Sequence, residues 1–587
     1  MTPPELERGD DEPEKLTPAE IDEFFPVKTQ PVPNRTFELG LVLGGTVSAG
    51  AYTGGVLDFL VEALDAWQKA QDAGHPDVPR HRVVITTIAG ASGGAINGAI
   101  LLRGAGREFP HGAHADNPFF HTWTEGVDLM KLLSPVGDSA GLASVLNCKP
   151  IEDTAEMAIA WNKGSPLGTS TSPAQRSYLA DPLRLFMTVG NVTGIPYSLP
   201  LEGESGLAHE LVAHADYLRF ALAVSGGVAQ QPASRPDEFA LSSASMANWT
   251  LVRDAALATS AFPFAFKARR LERALKVTGY RAFAIPDESG AGTTVKQLVP
   301  RWKSLPRGES DSDVAPFANV DGGTFNNEPM DLARTAMAGM GSRNPRKADE
   351  ARRAIVVIDP FTDAEMLSVP DTGKLTAMLG PLLGALIQQP RFKPHDLALA
   401  DSENVYSRFL VAPVRWGGTA KIVGKAAIAS GGLGGFLGFV DAKLLRHDYM
   451  LGRVNAYGFL KRHLMMPEDA GNPLFAGWTD DQKNEYRHVD PKTGDKFLPI
   501  IPLMKGIAEP KPIDWPAPTD LPPGFSRAVD ARLDLIYRKV KQELLTSRFF
   551  RFLTDVGLAL PWAIFIRPRL RNAIVEALTK GLRAQKL

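Results

Sequence analysis

The chain has 587 residues, of which 44% are hydrophobic and 22% charged, with a formal net charge of −2 and a single cysteine, Cys148. This length is enough to bury a large core and to form more than one domain. The near-neutral charge gives no basis for a nucleic-acid partner, and one cysteine excludes an internal disulfide and favours a reducing, cytoplasmic location.

Residues 1–34 are rich in proline and acidic, with nine Asp or Glu against three Lys or Arg. They lack the basic and apolar regions of a secretory signal. The composition predicts a disordered acidic N-terminal arm over residues 1–35, with a short helix near 17–25.

Short β-type runs alternate with helical stretches over residues 36–365. This order predicts an α/β domain with a mostly parallel sheet. Strands are predicted at 37–45, 82–90, 183–194, a run ending in the glycine turn of 316–329, and 352–361. Helices are predicted at 54–74, at 93–106 and from 249 to near Pro263, whereas 216–227 fits either element.

Helical patterns dominate residues 366–587 and predict a mainly helical C-terminal region. No run of 18 apolar residues indicates a spanning helix. Two shorter apolar stretches, 426–440 and 556–566, fit buried core helices better than membrane-dipping segments. Residues 567–587 carry six Lys or Arg and one Glu. They predict a basic amphipathic helix, either packed on its apolar side or in peripheral contact with the inner membrane surface.

The stretch Gly90-Ala91-Ser92-Gly93-Gly94 matches G-x-S-x-G between a predicted strand and a predicted helix. In that context the motif forms a sharp turn that exposes a nucleophilic serine, and glycines avoid collisions in the turn. A plain strand-to-helix turn capped by a small polar residue is the alternative.

A serine nucleophile needs a base. No histidine occurs between residues 215 and 394, and His395 lies outside the apparent sheet. His111, His114 and His121 lie in a loop without an obvious partner. Asp321 follows a predicted strand and precedes Gly322 and Gly323, where its carboxylate can act as the base of a Ser-Asp dyad or simply form an Asp-Gly turn.

The glycine turn within residues 41–60 lies between the first strand and the first helix. It can supply an oxyanion hole or bind phosphate. The turn lacks the G-x-G-x-x-G spacing of a dinucleotide site and the Gly-Lys-Ser/Thr of a nucleotide P-loop.

These pieces, in this order, resemble the patatin-like phospholipase family over roughly residues 37–365. The segment 254–266 looks like the family's Ala-Ser-x-Ala-x-Pro block, and 320–329 looks like its Asp-Gly-Gly block with the downstream Asn-Asn-Pro. Residues 446–460 look like a stretch found in larger bacterial patatin-related proteins. The resemblance implies a three-layer α/β/α core with a mostly parallel sheet, followed by the mainly helical C-terminal region.

The resemblance also implies a serine acyl hydrolase with no metal and no cofactor. Ser92 would be the nucleophile and Asp321 the base, on turns shaped by Gly90, Gly94, Gly322 and Gly323. The predicted oxyanion hole consists of Gly44, Gly45, Thr46 and Gly93. The family's loop usually has Gly-Gly-Gly-x-Arg/Lys-Gly, whereas here Thr46 and Val47 replace glycines and Ala49 holds the basic position.

The expected substrates are phospholipids or lysophospholipids, which would release a fatty acid. Two alternatives stay open. The altered loop is compatible with a non-catalytic protein that binds a lipid or a partner, and the dyad is compatible with a neutral ester, a thioester or a polyester.

Overall fold

The computed structural model describes residues 15–139, 141–159, 174–200, 208–225, 235–242, 245–287, 292–309, 311, 313–362, 405–544 and 562–587. The helices are α1 (Pro18–Phe24), α2 (Gly50–Asp72), α3 (Ser92–Gly104), α4 (Pro118–Thr124), α5 (Leu129–Leu133), α6 (Lys149–Ile159), α7 (Trp249–Thr259), α8 (Met330–Ala338), α9 (Ala442–Arg462), α10 (Asp480–Tyr486), α11 (Phe525–Leu544) and α12 (Arg567–Ala584).

The strands of the main sheet and its extensions are β1 (Thr36–Leu43), β2 (Arg82–Gly90), β3 (Leu179–Pro200), β4 (Ala208–Ala223), β5 (Glu238–Ser242), β6 (Arg269–Ala274), β9 (Val299–Pro300), β10 (Val314–Asp321), β11 (Arg353–Ile358) and β12 (Arg408–Val411). Strands β7 (Ala282–Pro286) and β8 (Thr293–Gln297) form a separate pair. The remaining short strands are β13 (Val414–Gly417), β14 (Ala420–Val423), β15 (Met465–Pro467), β16 (His488–Val489) and β17 (Lys496–Pro499).

The main sheet has the order β12-β11-β1-β2-β3-β10-β6. Neighbouring strands from β12 to β3 are parallel, and β10 and β6 are each antiparallel to the strand before them. The predicted α/β fold with a mostly parallel sheet is thereby confirmed. Of the ambiguous segment 216–227, residues 216–223 belong to β4, which pairs antiparallel with β3; residues 226 and 227 lie outside the described residues.

Alternate residues of β1 face opposite sides of the sheet, as the strand period requires. Leu41 and Leu43 join the large core formed with α2, α3 and α9. Val42 points to the other face, where it packs with Met330 and Met337 of α8. Helices therefore cover both faces, which is the three-layer α/β/α arrangement.

Strands β2 and β10 end opposite each other on the same part of β3. Gly90, the last residue of β2, pairs with Met187, and Asp321, the last residue of β10, pairs with Val189. Because β2 is parallel and β10 antiparallel to β3, their carboxyl ends meet head to head. This topology brings the residues that follow β2 next to Asp321.

The C-terminal region shares the core of the α/β domain. Helix α9 packs on α2 so closely that a Cβ on Gly55 would overlap the Tyr449 carbonyl oxygen, and one on Gly452 would overlap that of Tyr52. Strand β12 lies beyond the predicted boundary between 365 and 366 and yet extends the main sheet. The two predicted regions are therefore joined by a common core.

The short helix expected near 17–25 is found as α1, with Thr17 as its N-cap in a capping box. Phe24 and Phe25 are buried in a small cluster with Val295. The part of the N-terminal arm that is described, residues 15–35, is thus packed on the domain rather than disordered as predicted. Residues 1–14 lie outside the described residues.

None of the helices in the described part of the chain combines the length and apolar character needed to cross a bilayer.

Candidate active site

Ser92 lies at a strained turn between β2 and α3. Its φ of 49° is in the left-handed region, which non-glycine residues rarely adopt outside functional sites. The Ser92 amide donates a hydrogen bond of 2.8 Å to Thr259 Oγ1 of α7, and this bond holds the turn in place.

The neighbouring glycines are required by close backbone approaches. A Cβ on Gly90 would lie 2.8 Å from the Ala95 nitrogen, and one on Gly94 would overlap the Leu43 carbonyl oxygen. Ser92 is 6% exposed. The turn is therefore crowded by the end of β1 and still presents the serine hydroxyl.

Asp321 faces this hydroxyl from the end of β10. Ser92 Oγ donates a hydrogen bond of 2.7 Å to Asp321 Oδ2. The other carboxylate oxygen, Oδ1, accepts a hydrogen bond of 2.7 Å from the Gly323 amide. Gly322 packs against Thr188, where a Cβ would overlap the carbonyl oxygen. The two residues that the sequence predicts as a dyad are thus in direct contact.

Burial controls the acidity of Asp321. It raises the pKa of this carboxyl to about 6, although the hydrogen bonds from Ser92 and Gly323 act in the opposite direction. Such a carboxyl is ionised at neutral pH and more basic than an exposed aspartate. These properties suit a general base, which works best when its pKa is near the operating pH.

No histidine lines the pocket at Ser92 within the described part of the chain. His111 Nδ1 lies 2.8 Å from Asp58 Oδ1, on the α2 side of the core. His395 lies outside the described residues. Among those same residues, no group of three or more His, Cys, Asp or Glu side chains is arranged to hold a metal ion.

The predicted oxyanion loop follows β1. The Gly44 amide donates a hydrogen bond of 3.0 Å to the Ile358 carbonyl, so it continues the sheet and is not an available donor, contrary to the sequence prediction. In the described chain the amides of Gly45, Thr46 and Gly93 form no hydrogen bond. These three remain the candidate donors.

The loop passes close to the nucleophile and has a strained backbone. A Cβ on Gly45 would lie 3.3 Å from Ser92 Cβ. Val47 has a φ of 48°, which is unfavourable for a β-branched residue. Strain of this kind persists only where surrounding contacts maintain it.

Those contacts come from a distant part of the chain. Ser48 Oγ donates a hydrogen bond to the carbonyl oxygen of Gly435, which lies in the 3₁₀ segment Leu433–Phe439. Gly438 of that segment packs against Ser48. The segment belongs to the apolar stretch 426–440, which is largely buried as expected but not an α-helix, because Gly434 and Gly435 have positive φ angles.

A pocket extends from Ser92 and Asp321 between α3, α6 and α7. Its empty volume, which includes open solvent at the mouth, is about 850 Å³. The described lining is almost entirely apolar, and Asp321 is its only ionisable side chain. The lining includes Ile96, Trp123, Ile151, Ala155, Ala158, Ile159, Leu257, Phe262, Phe266 and Phe439.

Two comparisons with known proteins bear on the family of the chain. The sequence profile of the patatin-like phospholipase family matches residues 41–334, which is half of the chain. An uncharacterized protein of Sinorhizobium fredii, y4iI, is 31% identical over 511 residues, covering 80% of this chain and 71% of its own. This chain belongs to the patatin-like phospholipase family. Proteins of the family are generally lipid acyl hydrolases.

Sequence reasoning missed three contributors to the patatin-like site. Thr259, whose Oγ1 accepts a hydrogen bond from the Ser92 amide, lies in the 254–266 block that resembles the family, so the sequence offered a signal for it. Asn327 Oδ1 lies so close to Gly45 and Gly323 that a Cβ on either would overlap it. Phe439 reaches the pocket from 347 residues after Ser92, and no local signal in the sequence indicates this contact.

Proposed function

We propose that this patatin-like protein is a serine acyl hydrolase that cleaves carboxylic esters of lipids, with Ser92 as nucleophile and Asp321 as base. The observation that carries the proposal is the 2.7 Å hydrogen bond from Ser92 Oγ to Asp321 Oδ2 at the end of an apolar pocket. A nucleophile within hydrogen-bond reach of its base is the signature of covalent catalysis.

The reaction has two stages. When Ser92 Oγ bonds to the ester carbonyl carbon, its proton passes to Asp321 Oδ2 and the carbonyl π electrons move to the oxygen. Collapse of this intermediate expels the alcohol oxygen, which takes the proton from Asp321 and leaves an acyl ester on Ser92. Water then attacks the acyl carbon and gives its proton to Asp321. The second collapse returns a proton to Ser92 and releases the fatty acid.

The lining of the pocket supports a fatty acyl substrate. Apart from Asp321, the described lining has no charged side chain that could pair with a phosphate or an amine. Transfer of a hydrocarbon chain from water to apolar walls is favourable by about 0.8 kcal/mol per CH₂ group. The acyl chain therefore occupies the pocket, and a phospholipid or lysophospholipid head group stays outside its mouth.

Hydrolysis of a lipid panel by the wild-type protein and Ser92→Ala tests the proposal. We expect fatty acid release from phospholipid or lysophospholipid by the wild type and its loss in Ser92→Ala, with Ser177→Ala, an exposed serine, as control. A fluorophosphonate probe should label the wild type and not Ser92→Ala. Wild-type activity in Ser92→Ala contradicts the proposal.

The same panel separates the alternatives. The panel also includes neutral esters, thioesters and polyesters. If only one of these classes is hydrolysed, the assignment of the dyad stands and the assigned substrate class changes. A wild-type protein that binds lipid, hydrolyses nothing and resists the probe would instead be a non-catalytic binding protein.

We also propose peripheral contact with a membrane through the region around α12. Leu578 and Leu582 pack on the protein, whereas the preceding turn and the start of the helix expose Ile564, Phe565, Ile566, Leu570 and Ile574. Arg567 and Arg571 pair with Asp534 and Asp530, which leaves Arg569 and Lys580 among the exposed cations. Exposed apolar side chains beside cations favour an anionic bilayer.

Flotation with vesicles of anionic phospholipid tests the contact. The double variant Phe565→Ser, Ile566→Ser should float less than the wild type. Val489→Ser, which removes an exposed apolar side chain from β16, should float like the wild type. Equal flotation of all three proteins contradicts the membrane proposal.

A further inference from the structure

The Thr46 hydroxyl is a buried polar group without a partner. Thr46 is 1% exposed, and its Oγ1 forms no hydrogen bond with any described residue. A hydroxyl removed from water without a compensating hydrogen bond is unfavourable. Such groups in folded proteins call for an explanation, and one explanation is a ligand or transition state that accepts the hydrogen bond.

The position of this hydroxyl indicates its partner. Thr46 Oγ1 lies so close to Gly93 that a Cβ on that glycine would overlap it. Gly93 follows the nucleophile directly, and its amide is one of the available donors. The hydroxyl therefore lies beside the residue that follows the nucleophile, on a loop whose Gly45 closely approaches Ser92 Cβ.

We infer that Thr46 is a catalytic residue whose side-chain hydroxyl, in addition to backbone amides, donates a hydrogen bond to the oxyanion of the tetrahedral intermediate. The inference rests on the proposed acyl hydrolase function. No proton leaves Thr46: its O–H points at the oxygen that receives the carbonyl π electrons as Ser92 Oγ bonds to the carbon. The bond strengthens as negative charge develops, which is the requirement for catalysis by differential binding.

This role accounts for the departure of the loop from the glycine-rich pattern that it resembles. A glycine at position 46 offers only its amide, whereas threonine offers an amide and a hydroxyl. Since the Gly44 amide is bonded to the Ile358 carbonyl, the Thr46 hydroxyl adds a donor to the amides that stay available in the loop.

The test compares Thr46→Val and Thr46→Ser with the wild type in hydrolysis of a p-nitrophenyl ester of a fatty acid. Valine keeps the branched shape and removes the hydroxyl, whereas serine keeps the hydroxyl. We expect kcat to fall about 10²-fold or more in Thr46→Val with KM changed little, and to stay within a few-fold in Thr46→Ser. The melting temperature of Thr46→Val should equal or exceed that of the wild type, because an unpaired buried hydroxyl is removed.

Thr53→Val is the matched control. Thr53 is also fully buried with an unpartnered Oγ1, but it lies within α2. The same substitution there should leave kcat unchanged. A wild-type kcat in Thr46→Val, or an effect on KM alone, overturns the inference.

Ser92→Ala, measured in parallel, distinguishes a failure of the role inferred for Thr46 from a failure of the proposed hydrolase function. Inactive Ser92→Ala with fully active Thr46→Val overturns the role of Thr46 and leaves the proposed function intact. Active Ser92→Ala overturns the proposed function and the role of Thr46 with it. If Thr46→Val does not fold, Thr46→Ala and Thr46→Ser replace it, and equal kcat values for these two overturn the inference.

Discussion

Replacement of Asp321 by asparagine should stabilise the protein at neutral pH while it abolishes turnover. Burial raises the pKa of this carboxyl to about 6, from an ordinary value of 3.8. The folded state therefore binds the proton more tightly than the unfolded state. The contribution of Asp321 to the free energy of unfolding is therefore full below pH 3.8 and falls as the pH rises from 3.8 to about 6. Above about pH 6 it stays at its lowest value.

The difference of about two pKa units corresponds to about 3 kcal/mol at 1.36 kcal/mol per unit. Asparagine resembles the protonated acid and never ionises. Asp321→Asn should therefore exceed the wild type in unfolding free energy by about 3 kcal/mol at pH 8, and the difference should shrink to less than about 1 kcal/mol at pH 4.

Urea unfolding of both proteins at pH 4, 6 and 8 measures this difference, and pH effects of other groups cancel in the comparison. Asp216→Asn is the matched control, because Asp216 is equally buried. Burial alone would raise its pKa, but Arg273 and Arg281 outweigh that effect and hold the pKa well below the usual range. Asp216→Asn should therefore destabilise the protein at pH 8.

A stability difference between Asp321→Asn and wild type that is independent of pH would refute the reasoning. So would a variant less stable than wild type at pH 8. Either result would mean that the folded protein does not disfavour the ionised carboxylate of Asp321.

Further predictions concern other residues. The kcat/KM for ester hydrolysis should fall about tenfold per pH unit below about pH 6, because a protonated Asp321 cannot accept the Ser92 proton; a flat acid limb contradicts this assignment. His81 is buried, with its pKa lowered to about 4, so protonation should remove about 3 kcal/mol of stability as the pH falls from 6.5 to 4, and this slope should be absent from urea unfolding of His81→Gln. Ser48→Ala removes the hydrogen bond to Gly435 and should lower kcat, while the melting temperature stays close to that of the wild type. An unchanged kcat would show that the predicted oxyanion loop does not depend on this hydrogen bond. Ala155→Trp narrows the pocket and should shift the preferred ester from long to short acyl chains, which a chain-length series measures.

The nucleophile turn could be predicted from the sequence because its requirements are local. A positive φ at Ser92 and backbone approaches at Gly90 and Gly94 leave a glycine-rich signature between a strand and a helix. Asp321 was predictable for a similar reason, since a strand end followed by two glycines is visible in the chain. The contact between Ser92 and Asp321 depends on the topology in which β2 and β10 both end against β3, and this topology is not visible in the local sequence.

The predicted oxyanion loop is a feature that local sequence patterns do not resolve. Gly44 looks like a donor in the sequence, but the sheet uses its amide through Ile358. Which amides remain available depends on the hydrogen bonds of a strand more than 300 residues away, and a sequence pattern carries no record of that pairing.

The amino-acid sequence by itself therefore determined the fold class, the family resemblance and the identity of the two candidate catalytic residues, because short-range backbone geometry demands particular residue types. Only the tertiary structure decided the pKa of Asp321, the support of Ser48 by Gly435 and the burial of the Thr46 hydroxyl. These properties arise from desolvation and from contacts between distant segments, and both exist only after the chain has packed.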